Sequence, residues 1–131
     1  MIDLVPESHQ DLLKDETKAF AFVATVKPDG SPHVTAVWFN TDGEHILFNT
    51  MPTTAKYRNV QENEEIALAI FEPGNPYRYV QVQGSVRTTA EGAVDHTHAL
   101  SHKYTGKDFD MPADMERRKF IVTPEHVTVW G

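Results

Sequence analysis

Short runs of β-branched and aromatic residues, each closed by a turn signal, recur along this chain and leave little room for any fold but an antiparallel sheet. Residues 19–27 read Ala-Phe-Ala-Phe-Val-Ala-Thr-Val-Lys and stop at Pro28-Asp29-Gly30, where Pro presets one turn angle and Gly supplies a positive φ. The return strand, His33 to Phe39, ends at Asn40-Thr41-Asp42-Gly43, and Glu44 to Thr50 follows as the third strand of a meander. Glu65 to Phe71 and Tyr77 to Thr88 flank a Pro/Gly-rich turn. In the second of these, Val80 and Val82 alternate with Tyr79, Gln81 and Gln83, and Gly84 marks a bulge or bend. Lys119 to Val122 and His126 to Trp130 read as two closing strands separated by Thr123-Pro124-Glu125.

Helical patterns lie between the strands. Ser8 to Thr17 reads as a short amphipathic surface helix with Ser8 as N-cap, and Pro52 fits the first position of a helix that continues to Glu62. Glu91 to Tyr104 is helical in composition and is stopped by Gly106, and Met111 to Glu116 reads as one more turn. Strands that outnumber helices, with antiparallel neighbours, predict a mostly-β fold. The expectation is a small closed or split β-barrel of Greek-key type, six- to seven-stranded and antiparallel, with short peripheral helices. At 131 residues, a single domain over residues 1–131 is expected.

Composition removes several chemistries. The chain has no cysteine, so disulfides, thiolate metal sites and cysteine nucleophiles are absent. Twelve Lys and Arg against nineteen Asp and Glu leave a net charge of −7 without a basic cluster, which excludes nucleic acid as a partner. The first residues lack a basic segment followed by an apolar one, and no run approaches the roughly 18 apolar residues of a membrane span, so a cytoplasmic protein without membrane contact is expected. Ser31, Ser85 and Ser101 each lack a nucleophile-elbow context, which argues against a serine hydrolase.

Three segments carry candidate chemistry. Asn49 to Asn59 is a strand end running into a helix start, where unpaired N–H groups and partial positive charge attract phosphate. Hydroxyls at Thr50, Thr53 and Thr54 add donors and Lys56 adds a full charge; the same residues also fit a capped helix with a wet cationic face. In His33–Phe39, small Ala36 beside Trp38 lets a flat ring approach the backbone, while ordinary core packing explains the same residues. Tyr77 and Tyr79 share one strand face and suit a half-dry interface or a shielded sheet face. His98 and His102 lie one helical turn apart with His96 and Asp95 near, but without cysteine or a zincin glutamate they read as a polar helix face, and no metal is expected.

The Asp-Gly-x-Pro turn followed by His-Val-Thr-Ala-Val-Trp-Phe, then Ala-Lys-Tyr-Arg-Asn at 55–59, then Asn-Pro-Tyr-Arg-Tyr at 75–79, together resemble the pyridoxamine-phosphate-oxidase-like split-barrel family. Within it they are most similar to the small deazaflavin-dependent oxidoreductases that use coenzyme F420. The resemblance implies a homodimer with two cofactor grooves at the subunit interface, a small conjugated substrate and hydride transfer. It places Asn49, Thr50, Thr54 and Lys56 at the cofactor phosphate with Arg58 and Asn59 close by, and Ala36, Val37 and Trp38 along the tricyclic ring. Tyr77 and Tyr79 would come from the partner strand. The catalytic residues stay unassigned. FMN is the alternative cofactor, since some relatives carry Arg where this chain has Thr54, and a non-enzymatic flavin, deazaflavin or haem carrier is the alternative role. Pyridoxamine phosphate oxidases proper extend beyond the position of Trp130-Gly131 to a substrate-phosphate motif, so vitamin B6 oxidation is not expected.

Overall fold

Alternation of apolar and small or polar residues gives strands such as Ala21–Val26 and Glu65–Glu72 one buried face, and the sheet curls into a half-barrel. The computed structural model describes residues 2–131. The strands are β1 (Ala21–Val26), β2 (Pro32–Val37), β3 (Asn40–Thr41), β4 (Ile46–Thr50), β5 (Glu65–Glu72), β6 (Asn75–Thr89) and β7 (Arg118–Trp130); the helices are α1 (Ala55–Glu62) and α2 (Ala93–Thr105). The seven strands run in the order β2-β1-β5-β6-β7-β4-β3, every pair antiparallel, which is the predicted split barrel. Phe48 and Phe120 stack at 4.5 Å between ring centres in the core, beside fully buried Phe39, Leu68 and Ile70. Among the described residues no helix is long and apolar enough to cross a membrane.

The connections differ from the sequence expectation in ways that shape the site. β1 and β2 form the predicted hairpin, but β4 does not continue a meander; it lies at the other end of the sheet against β7. The chain crosses over at Trp38-Phe39, where full burial of Phe39 carries the backbone into the core instead of back along the surface. Asn40-Thr41, read as a turn, pairs with Leu47 and Ile46 as β3. The two ends of the sheet, β2 and β3–β4, thus remain unpaired with each other among the described residues.

Local chemistry explains the remaining differences. The helix expected over 8–17 is a series of 3₁₀ turns, Glu7–Leu13 and Asp15–Thr17, with no capping bond from Ser8. It is not a surface element, because Leu12 and Leu13 join the core. Arg78 pins it by donating to the Ser8 carbonyl at 2.6 Å and to the Asp11 carboxylate at 2.6 and 3.0 Å. Helix α1 begins at Ala55 and not at Pro52, because Thr54 is the cap: its Oγ1 accepts from the Tyr57 N–H at 3.4 Å and donates to the Met51 carbonyl at 3.1 Å. Met111 to Glu116 forms only a turn, in keeping with the aversion of residues before proline to helix. Helix α2 ends where Gly106 adopts a left-handed conformation, as the sequence indicates.

The two closing strands are one. β7 runs unbroken through Thr123-Pro124-Glu125, and the surplus residue is absorbed as a bulge opposite Gln83 and Gly84. Gly84 permits this approach, since a Cβ there would lie 2.1 Å from the Thr123 carbonyl oxygen. Backbone, not a flexible side chain, occupies that space. Gly84→Ala is therefore expected to lower unfolding free energy by about 1–3 kcal/mol, read as a fall in urea midpoint at constant m-value; an unchanged midpoint would show that the bulge relaxes freely.

Candidate functional site

The split between the sheet ends forms a cavity of about 210 Å³. Ala36, Val37 and Trp38 line it from the end of β2, Asn49 and Thr50 from β4, and Lys56 from the first turn of α1. Thr97 and Leu100 of α2 and Phe109 and Arg117 of the irregular segment before β7 close it. Six of the residues singled out in the sequence therefore meet in one place, although three different elements supply them.

Arg117 and Phe109 are cavity residues that the sequence reading missed, since neither lies in a motif; Arg117 reaches the cavity through the crossover that brings β4 beside β7. Its guanidinium donates from Nε to the Asn49 Oδ1 at 3.0 Å, and its Nη2 bonds the same oxygen. Asn49 Oδ1 also accepts from the Thr97 hydroxyl at 3.0 Å. The other end of the amide donates from Nδ2 to His96 Nδ1 at 2.8 Å, and His96 Nε2 in turn meets Asn40 Oδ1 at 2.8 Å. This chain of bonds sets the imidazole as the Nε2–H tautomer and ties β3, β4, α2 and Arg117 together. Asn49 is thus held within the protein, orienting Arg117.

Lys56 stands beside this group, half-buried and with no hydrogen bond or ion pair among the described residues. Burial, and then repulsion from Arg117, hold its ammonium pKa below the ordinary lysine value. Burial lowers the pKa of Arg117 as well. Two cations held close in a partly dry cleft repel one another, an arrangement that a bound anion would relieve.

The other wall is aromatic. Trp38 stacks on Tyr104 at 5.1 Å and 10° between planes, and Tyr104 stacks on Phe20 at 5.3 Å. The Tyr104 hydroxyl bonds the Ala19 carbonyl and accepts from the Phe39 N–H at 3.3 Å, and burial raises its pKa to about 12. Lys103, pushed down to about 8 by burial, donates to the Phe39 carbonyl at 2.6 Å. Both residues of α2 therefore fasten the corner that presents Trp38.

The remaining predicted residues lie apart from the cavity lining. Thr54 caps α1, and Arg58 donates to the Thr53 carbonyl at 2.6 Å from an exposed position. Asn59 is buried and donates to Thr25 at 3.0 Å, which docks α1 on β1. Tyr79 packs on Phe71 at 5.1 Å, and Tyr77 is 76% exposed. The three histidines of α2 are engaged within the chain: His96 as above, His98 accepting from the Phe109 N–H at 3.2 Å, and His102 against Asp108 at 2.5 Å. No group of three or more His, Asp or Glu side chains able to hold a metal occurs among the described residues.

Burial, with Lys119 and Arg117 nearby, lowers the His96 pKa from 6.5 to about 4. Between these two values the unfolded chain binds a proton that the folded one refuses, so stability contributed by neutral His96 is complete above pH 6.5 and is lost as pH falls through 4. The expected loss is about 3 kcal/mol by urea unfolding at each pH. His96→Gln, which keeps a donor toward Asn40 and does not titrate, is expected to flatten that slope; an identical slope in both proteins would remove His96 as its source.

Comparison with known proteins follows from this geometry. A solved structure described as an F420 reductase superposes with a TM-score of 0.83 at 36% identity, covering 95% of this chain and 98% of that one. A conserved hypothetical protein from Mycobacterium tuberculosis (TM-score 0.75, 20% identity, 96% of this chain and 84% of that one) and HupZ of Group A Streptococcus (0.70, 18%, 95% and 93%) share the fold. Among curated proteins no match was found. Residues 5–131 match the pyridoxamine 5'-phosphate oxidase family, and with the split barrel built as described, this chain is a member of that family.

Proposed function

We propose that the chain is an oxidoreductase that holds coenzyme F420 in the split of a homodimer and uses it to reduce or oxidise a small conjugated substrate. The observation that carries this reading is the cation couple, Lys56 and Arg117, which has no carboxylate partner among the described residues and shares its cavity with Trp38. A ligand suited to both has an anionic end and a planar ring. The residues fit such a group: the cations lack a counter-anion, Thr50 adds a hydroxyl, and the methyl side chain of Ala36 leaves room for a ring against the strand. Likeness to an F420 reductase favours the deazaflavin, and the family match keeps FMN as the alternative occupant. Haem carriage loses its motive, because His96, His98 and His102 all bond within the chain.

When bound, the coenzyme supplies a hydride at its central ring, and a proton completes reduction of one double bond of the substrate. Lys56 and Arg117 hold the phosphate, with Asn49 orienting the guanidinium. Thr54 serves the clamp by fixing the start of α1, and Arg58 and Asn59 stand behind it. Trp38 and Val37 orient the ring, and the aromatic wall keeps water from it. The Tyr104 hydroxyl is engaged with backbone, so the proton comes from water or from the tyrosines of a second copy.

The homodimer is supported by the outer face of the sheet. Phe22 pairs with Ala36 and Ala69 across neighbouring strands, and Phe22 (45% exposed), Val34 (64%) and Trp130 (64%) are large apolar side chains left exposed on the sheet. Exposed apolar surface of this kind suits an interface. Tyr77 and Tyr79 then reach the groove from the partner.

Titration tests both parts. With Trp130→Phe as background, F420 or FMN is expected to quench Trp38, and competition between them identifies the coenzyme. Lys56→Ala and Arg117→Ala should each weaken binding by about 1.5–3 kcal/mol, a roughly 10- to 150-fold rise in Kd; unchanged affinity would remove either residue from the clamp. Sedimentation should show a dimer that Phe22→Glu converts to monomer, and a monomeric parent would overturn the interface.

A further inference from the structure

We propose that Phe109 is the gate of the cleft, a movable wall between its cationic and apolar chambers, and that His98 and His102 hold the gate shut. This rests on the reading of the cleft as the coenzyme site. Two cavities meet there: the one of about 210 Å³ that reaches Lys56 and Arg117, and an apolar one of about 330 Å³ lined by Phe20, Ala36, Val37, Trp38 and Phe109. They share Ala36, Val37, Trp38 and Phe109. A ligand with an anionic end and a planar ring must span both, and so must pass these four residues.

Three of the four cannot yield. Ala36 and Val37 belong to β2, hydrogen-bonded along its length to β1, and Trp38 is stacked on Tyr104. Phe109 stands on a twelve-residue segment without helix or strand, residues 106–117, and is not stacked on a neighbouring ring as Trp38 is. Its ring meets Trp38 edge-on at 6.3 Å and lies 5.8 Å from the Arg117 guanidinium, between the anion site and the ring wall.

Two fastenings hold this segment to α2. The Phe109 N–H donates to His98 Nδ1 at 3.2 Å, and the preceding residue, Asp108, meets His102 Nε2 at 2.5 Å. Hydrogen bonding to His102 keeps the Asp108 carboxyl below the usual carboxylate range. The two histidines sit one helical turn apart on α2, so both grip adjacent residues of one strap. They are positioning residues, acting on the site through Phe109.

Stopped-flow quenching of Trp38 in the Trp130→Phe protein, with F420 and with FMN as probes, reads the gate directly. Phe109→Ala is expected to raise the association rate about tenfold, the scale of a lost aromatic contact at a constriction. His98→Ala should raise it about two- to tenfold, the scale of one neutral hydrogen bond. His98→Asn, whose Oδ1 stands where Nδ1 stood, should restore the parent rate, which a merely structural loss would not do. Half-exposed Phe109 and His98 leave the core intact when replaced, and the urea midpoint of each variant checks this. Association rates equal to the parent in Phe109→Ala and His98→Ala, or a change confined to dissociation, overturn the gate. If Lys56→Ala weakens binding while the gate variants bind at the parent rate, only the gate fails; if neither probe quenches the parent, the coenzyme reading and the gate fail together.

Discussion

The side-chain amide of Asn49 is the joint on which the site depends. Its oxygen accepts from Arg117 and Thr97, and its nitrogen donates to His96, so one residue of β4 fixes a cation, a helix and, through Asn40, the neighbouring strand. The network is buried, where an unmatched polar group costs about 1–3 kcal/mol. Every group in it therefore constrains the others. A half-barrel left open along one seam needs such a fastening, because no ladder of backbone bonds joins β2 to β3–β4.

The lining of the cleft offers cations, an amide, hydroxyls and rings, which in the proposed function serve to hold a charged planar group. Burial works in the same direction: it keeps His96 uncharged, keeps Tyr104 protonated and holds Lys56 below its ordinary value. The difficult electron chemistry falls to the bound coenzyme in the proposed function, and the chain contributes position and dryness.

Strand content and the split-barrel class were legible because alternation is a local signal; Val80 and Val82 between polar neighbours need no tertiary knowledge. Connectivity was not. Whether β4 returns beside β2 depends on Phe39 being drawn into a core that exists only once the other strands are in place. Asn49, Thr50 and Lys56 were legible as one segment, a strand end running into a helix start, and Ala36, Val37 and Trp38 as another; only the family resemblance joined the two. Arg117 and Phe109 escaped, since a residue in an irregular segment carries no periodicity, and its importance comes from distant partners: Asn49 is 68 positions away. Thr54 fits the capping role that the sequence left open beside phosphate binding, since its hydroxyl engages Tyr57 and Met51 at the start of α1.

Charge closes the account. The chain carries a net −7, so an anionic ligand approaches against the long-range field, and affinity must arise at short range where the solvent is thin. In the proposed function Lys56 and Arg117 provide that; burial first, and then repulsion from Arg117, hold the Lys56 pKa below its ordinary value. An anion bound between them would relieve that cost, so ligand affinity and ligand-induced stability would share one origin. A site relaxed by internal carboxylates would be more stable when empty and weaker as a clamp. Placing the acidic residues elsewhere and leaving the seam cationic resolves that conflict in favour of binding.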